Sequence, residues 1–169
     1  MALHSDPCEA DLLDLVRELA EILESQGLRL VTAESCTGGW IAKLVTDQPG
    51  SSAWFEAGLV TYSNEAKHRL LGVSLATLER FGAVSAETAR EMLAGALAHS
   101  TADLAVAVTG IAGPGGGTPD KPVGTVWIGW QRRGAGADAR CFHFAGNRTS
   151  VRRQTVAAAL SGLRHCLTA

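Results

Sequence analysis

Two short and almost wholly apolar runs, LRLVTA at 28–33 and ADLAVAVTG at 102–110, constrain this chain more than any other feature. Runs of that length and composition read as buried strands. Between and around them, apolar residues recur at helical spacing. Strands interleaved with helices, followed by a hairpin and a last helix, predict an α/β fold: a three-layer α/β/α sandwich with a mixed, mostly parallel sheet. No repeat, linker or low-complexity segment divides the 169 residues, so 1–169 reads as a single domain.

Asp6-Pro7-Cys8-Glu9 reads as a helix start with Asp6 as N-cap. Leu12, Leu15, Val16, Leu19, Ile22 and Leu23 follow at helical spacing, and Gly27 ends the run. The strand at 28–33 leads to a helix from about Cys36 to Asp47, and FEAGLVTY (55–62) is a second strand. Short helices are predicted at 64–73 and 75–82, then a longer one capped by Ser85 with Ala89, Met92, Leu93, Ala96 and Leu97 facing inward. VGTVWIGW (123–130) and ARCFHFAG (139–146) pair as a hairpin. A final helix at 149–167 turns Val151, Thr155, Ala158, Ala159, Leu163 and Cys166 to the core.

Composition removes several classes of function. With 46% hydrophobic and 19% charged residues the chain is an ordinary soluble globular protein, and a net charge of −2 argues against broad nucleic-acid binding. The N-terminal stretch lacks the basic and apolar regions of a signal peptide, and no segment is long enough to cross a bilayer. Cys8, Cys36, Cys141 and Cys166 are far apart, which reads as free thiols in a reducing cytoplasm. His4, His68, His99, His143 and His165 are equally scattered, so no metal site is expected.

Ligands of such sheets gather at the carboxyl ends of strands, and Ser35, Tyr62 and Thr109 each stand at one. No P-loop, dinucleotide fingerprint, H-E-x-x-H or G-x-S-x-G occurs. A serine with a lysine remains. A buried lysine of lowered pKa can take the serine proton, and Lys67 follows Tyr62 in YSNEAK. A tyrosine at a strand end and a lysine on a solvated helix are commonplace, and from those residues alone that plainer reading is the stronger one. GNRTSVRRQT sets Arg148, Arg152 and Arg153 at the start of the final helix, where cations oppose the helix dipole unless an anion binds there. The competing reading sends them to surface carboxylates. The glycine-rich loop 110–117 reads as a flexible turn or a ligand cradle, and Trp54, Trp127 and Trp130 as core packing.

TAESCTGGWIAKLVTDQPGSSAWFEAGLVTYSNEAK, GAVSAETA, AVTGIAGPGGGTPDKPVGTVWIGW and GNRTSVRRQT closely resemble the CinA C-terminal domain family, whose stand-alone members are nicotinamide-nucleotide amidases. The likeness covers residues 8–167 in order. It implies hydrolysis of the carboxamide of nicotinamide mononucleotide, no metal or organic cofactor, and assembly as a homodimer or higher homo-oligomer. It also implies Ser35 as nucleophile, with Tyr62 and Lys67 as its catalytic partners, and Thr37, Gly38 and Gly39 as a turn whose N–H groups face the oxyanion. Ser52, Thr109, Gly110 and Arg148 are the further substrate-binding positions it implies, with Arg148 taking the phosphate. The chain departs from the pattern at Asn147, where relatives often carry Asp. The family's frequent N-terminal partner domain is missing, so the competence-linked or pyrophosphatase roles of the fused forms are not expected. A rival reading is a nucleotide-binding or regulatory module without turnover; the presence of Ser35, Tyr62 and Lys67 together argues against it.

Overall fold

The computed structural model describes residues 6–168; His4 lies outside them. Five strands form one sheet in the order β2-β1-β3-β4-β5: β1 Leu30–Glu34, β2 Phe55–Val60, β3 Leu104–Gly110, β4 Thr125–Arg132 and β5 Asp138–His143. β1 runs parallel to both β2 and β3, whereas β4 is antiparallel to β3 and to β5. The sheet is mixed as expected, with β4 alone against the common direction and β4–β5 the expected hairpin.

Helices cover both faces. On one side α1 (Glu9–Gln26), α2 (Trp40–Asp47) and α6 (Arg148–Thr168) pack on Leu104, Val106 and Val108 of β3. On the other, α3 (Asn64–Leu71), α4 (Leu75–Phe81) and α5 (Ala86–Ala98) pack on Ala105 and Ala107. The two-residue period of a strand thus feeds two cores, and small side chains on the second face let α5 approach closely. Each fully buried Leu, Val or Met of these cores contributes about 1.5–3 kcal/mol.

Three local expectations change. α1 is capped by Cys8 rather than Asp6: the Cys8 N–H donates to the Asp11 carboxylate at 2.7 Å, closing a capping box. Asp6 instead accepts from Ser150 Oγ at 2.6 Å and faces Arg153 at 3.3 Å. α2 begins at Trp40, four residues later than expected, because Gly38 (φ +62°) and Gly39 (φ +93°) adopt left-handed backbone that no helix interior holds. On α6 the buried stripe steps from Leu163 to Leu167, and Cys166 faces solvent.

The register sets the working end of the molecule. Glu34 lies opposite both Val60 and Val108, so the carboxyl ends of β1, β2 and β3 are side by side. β4 starts opposite that end, with Val126 facing Gly110, so the loop 111–124 folds over it. His143, the last residue of β5, pairs with Thr125, the first of β4, so the chain leaves the sheet at this same end and α6 begins there at Arg148.

Candidate active site

Ser35 follows directly on β1 and is held in place by its N–H, which donates to Val108 O at 3.0 Å. Its Oγ meets Lys67 Nζ at 2.8 Å. Lys67 projects from α3, whose start is fixed by Ser63 Oγ accepting from Ala66 N. The side chain is only 1% exposed. Two carbonyls also face the amine, Thr61 O at 2.8 Å and Tyr62 O at 3.3 Å. Among the described residues no carboxylate touches it. Burial therefore lowers the Lys67 pKa from 10.5 to about 8. A neutral amine has two N–H donors and one lone pair. With both N–H groups on the carbonyls, the lone pair is left for the Ser35 proton.

The turn from Ser35 to Gly39 is gripped from both sides. Glu34, fully buried, accepts from Thr37 Oγ1 at 2.6 Å, from the N–H groups of Gly39 and Ile41 at 3.1 Å, and from Ala42 N at 2.8 Å. A carboxylate at the amino end of α2 satisfies its orphan donors and complements its dipole. Arg152 reaches over from α6 and donates to Cys36 O at 3.1 Å and Thr37 O at 2.8 Å. The sequence reading did not mark Glu34, and it offered Arg152 as a ligand of an anion or of a surface carboxylate, whereas its partners here are two main-chain carbonyls. A charged residue ending an otherwise apolar strand, just before a Gly pair, was the available sign for Glu34.

The three amides expected to face an oxyanion divide. Gly38 N donates to Ser35 O at 3.0 Å and Gly39 N to Glu34, while Thr37 N has no acceptor among the described residues. Cys36 is buried, and burial pushes its thiol up to about 12, so it stays a thiol beside the serine.

Tyr62 meets Lys67 through its main-chain carbonyl; its phenol oxygen instead accepts from Arg148 at 3.1 Å. Arg148 also donates to Gly113 O at 2.9 Å, so this exposed arginine spans the site's mouth from the β2–α3 loop to the glycine-rich loop. Asn147 caps α6, taking the N–H of Ser150 at 3.0 Å with a neutral amide. Thr109 is buried at the end of β3 and donates to Ala83 O at 2.8 Å; Gly110 follows it, pressed against Val126. Ser52 is not brought to Ser35. It lies on a 3-10 turn, Ser51–Ala53, before β2, and β1 and β2 are parallel, which separates the two serines by the length of the strands, more than about 15 Å.

Among the described residues no three His, Cys, Asp or Glu side chains gather to hold a metal ion, and no helix is long and apolar enough to cross a membrane. A cavity of about 530 Å³ lies elsewhere, between β5 and the second half of α6, lined by Trp130, Phe142, Phe144 and Arg164. Beside it Cys141 Sγ lies 3.8 Å from His143, but burial raises that thiol above its usual range, the reverse of what a nucleophile needs. The Ser35–Lys67 pair is the better candidate.

The family model described as the CinA C-terminal domain matches residues 13–167. The nicotinamide-nucleotide amidohydrolase PncC of Escherichia coli K12 is 51% identical over 157 residues, covering 92% of this chain and 94% of that protein. The protein of the same name from Pseudomonas putida is 54% identical, covering 88% and 92%. Among solved structures, the competence/damage inducible protein CihA from Agrobacterium tumefaciens superposes with a TM-score of 0.91 at 45% identity, covering all of both chains. The competence damage-inducible protein A from Klebsiella pneumoniae gives 0.90 at 41% identity, covering 93% of this chain and 97% of that one. With that profile matching nearly its whole length, the chain belongs to the CinA C-terminal domain family.

Proposed function

We propose that this protein is a serine amidase that hydrolyses the carboxamide of nicotinamide mononucleotide to nicotinate mononucleotide and ammonia. The observation that carries the reading is the buried Lys67 amine 2.8 Å from Ser35 Oγ, with no carboxylate beside it among the described residues. The relatives named as nicotinamide-nucleotide amidohydrolases support the choice of substrate.

Neutral Lys67 takes the Ser35 proton as Oγ bonds to the carboxamide carbon, and the carbonyl oxygen becomes an oxyanion. The Lys67 ammonium returns that proton to the amide nitrogen, the C–N bond breaks, and ammonia leaves an ester on Ser35. Water then attacks this ester with Lys67 again taking a proton. Collapse frees nicotinate mononucleotide and restores the serine hydroxyl. Tyr62 contributes the carbonyl that orients Lys67, and its phenol fixes Arg148. Arg148 takes the 5′-phosphate, aided by the amino end of α6.

The same reading includes a homo-oligomer in the cytoplasm. The exposed edge strand β2, with Val60 46% exposed, and the four free cysteines support it.

The direct test is ammonia release from pure protein given nicotinamide mononucleotide. Release well above a Ser35→Ala control is expected; equal traces from both proteins would overturn the assignment.

A further inference from the structure

Arg152 reaches the turn that carries the nucleophile without reaching the nucleophile itself. Its Nε donates to Cys36 O at 3.1 Å and one Nη to Thr37 O at 2.8 Å, while the guanidinium lies 5.3 Å over the Trp40 ring. A peptide unit is planar and trans, so fixing a carbonyl also fixes the N–H on its far side. The Cys36 carbonyl belongs to the same unit as the Thr37 N–H. Among the described residues that N–H has no acceptor, whereas Ser35 N is engaged with Val108, Gly38 N with Ser35 and Gly39 N with Glu34. The Cys36 N–H likewise has no acceptor among the described residues, but the carbonyl of its own peptide unit, Ser35 O, is held by Gly38 N and not by Arg152.

We propose that Arg152 is a positioning residue for oxyanion stabilisation, acting through the Cys36–Thr37 peptide. By holding the carbonyl it aims the Thr37 N–H away from α6. A cation on the carbonyl end of the unit also makes the N–H at the other end a stronger donor, because hydrogen bonds in series polarise one another. The inference rests on Ser35 being the nucleophile of an amidase. It explains why a charged side chain is spent on two main-chain carbonyls next to the reacting serine, where any apolar contact would have docked α6.

Loss of one oxyanion donor typically lowers kcat by about 100- to 1000-fold. Arg152 acts one bond removed, so Arg152→Met is expected to lower kcat roughly 10- to 100-fold while the KM for nicotinamide mononucleotide stays within about 2-fold. A merely structural arginine could also slow the enzyme, so the deciding readout is a second substrate. The thioamide analogue of the mononucleotide carries sulfur where the oxyanion would form and hydrogen-bonds weakly to N–H. Wild-type enzyme should prefer the amide. In Arg152→Met that preference should shrink at least several-fold, because the amide loses more than the thioamide.

Arg152→Lys retains charge and stem with one donor group, and should fall between. It also serves if the methionine variant fails to fold. An amide-to-thioamide ratio unchanged from wild type in a folded variant would overturn the proposal and leave Arg152 a helix tether. Failure of the wild type to exceed Ser35→Ala would instead remove the amidase reading, and this proposal with it.

Discussion

Lys67 shows how one burial event sets both activity and stability. Its amine is covered, has only carbonyl and hydroxyl partners, and holds a pKa of about 8. Amidase activity should therefore rise with pH through about 8 as the neutral base accumulates, which a kcat/KM profile between pH 6 and 10 reads directly. Lys67→Arg, permanently charged, should be folded and nearly inactive. The stability consequence has the same direction. An unfolded lysine keeps its proton to about 10.4, so between about 8 and that value the unfolded chain binds more protons than the folded one. Folding stability contributed by this group therefore increases with pH across the window. In urea titrations at pH 7.5 and 9.5, wild type should gain stability relative to Lys67→Met on going to the higher pH.

Arg148 is exposed and bridges Tyr62 and Gly113, within reach of a ligand at the mouth. Arg148→Ala should raise the KM for the mononucleotide by about 10- to 150-fold, the usual cost of a charge-assisted contact. The weak reaction with nicotinamide riboside, which lacks the phosphate, should barely change. Equal losses on both substrates would make Arg148 structural. The Ser35–Lys67 contact was legible in the sequence as a candidate pair, and Arg148 as a candidate for the phosphate, because such chemistry is carried by residue type. What Arg152 holds was not legible, since its partners are main-chain carbonyls 115 and 116 residues away, and a carbonyl has no letter.

At the scale of elements, caps decide how the site is charged. Glu34 closes the amino end of α2, so that end has no dipole to offer an anion. α6 is different: the neutral Asn147 caps it and three arginines stand in its first turns. Asn147→Asp keeps the capping hydrogen bond but adds a negative charge where the phosphate is expected. Stability should hold, and KM for the mononucleotide should rise about 2- to 5-fold, the worth of a charge at a helix end. The start of α2 is also testable. Gly39 has φ +93°, and a Cβ there would stand 3.3 Å from Val60 Cγ2. Gly39→Ala should cost about 1–2 kcal/mol in chemical denaturation. The sequence located every strand and helix to within a few residues, since apolar period is a local signal. It mistook the start of α2 because Ser, Thr and Gly serve equally as helix starts and as turns; only the sign of φ distinguishes them.

Across the whole molecule, the sandwich was legible from the alternation of strands and helices, whereas the relative position of loops was not. Ser52 and Ser35 are 17 residues apart in sequence and at opposite ends of the sheet, a fact that follows from the parallel pairing of β1 with β2. α6 in turn is seated by Trp130, whose indole N–H donates to Ala159 O at 2.9 Å, and by Gly162, where a Cβ would fall 2.2 Å from the ring. Gly162→Val should overpack this contact, costing about 1–3 kcal/mol by thermal unfolding. It should lower kcat/KM as well, although the contact is remote from Ser35, because α6 carries both Arg148 and Arg152.

That arrangement has a meaning for biosynthesis. The chain emerges from the ribosome amino end first, so the serine and its lysine are made long before the twenty-one residues of α6. Until those residues arrive, one face of the sheet has lost a large part of its cover and the reactive turn has no arginine to shape it. On the roles proposed for Arg148 and Arg152, the helix made last among the described elements also prepares the reactive turn, and a polypeptide abandoned before it is expected to be inert.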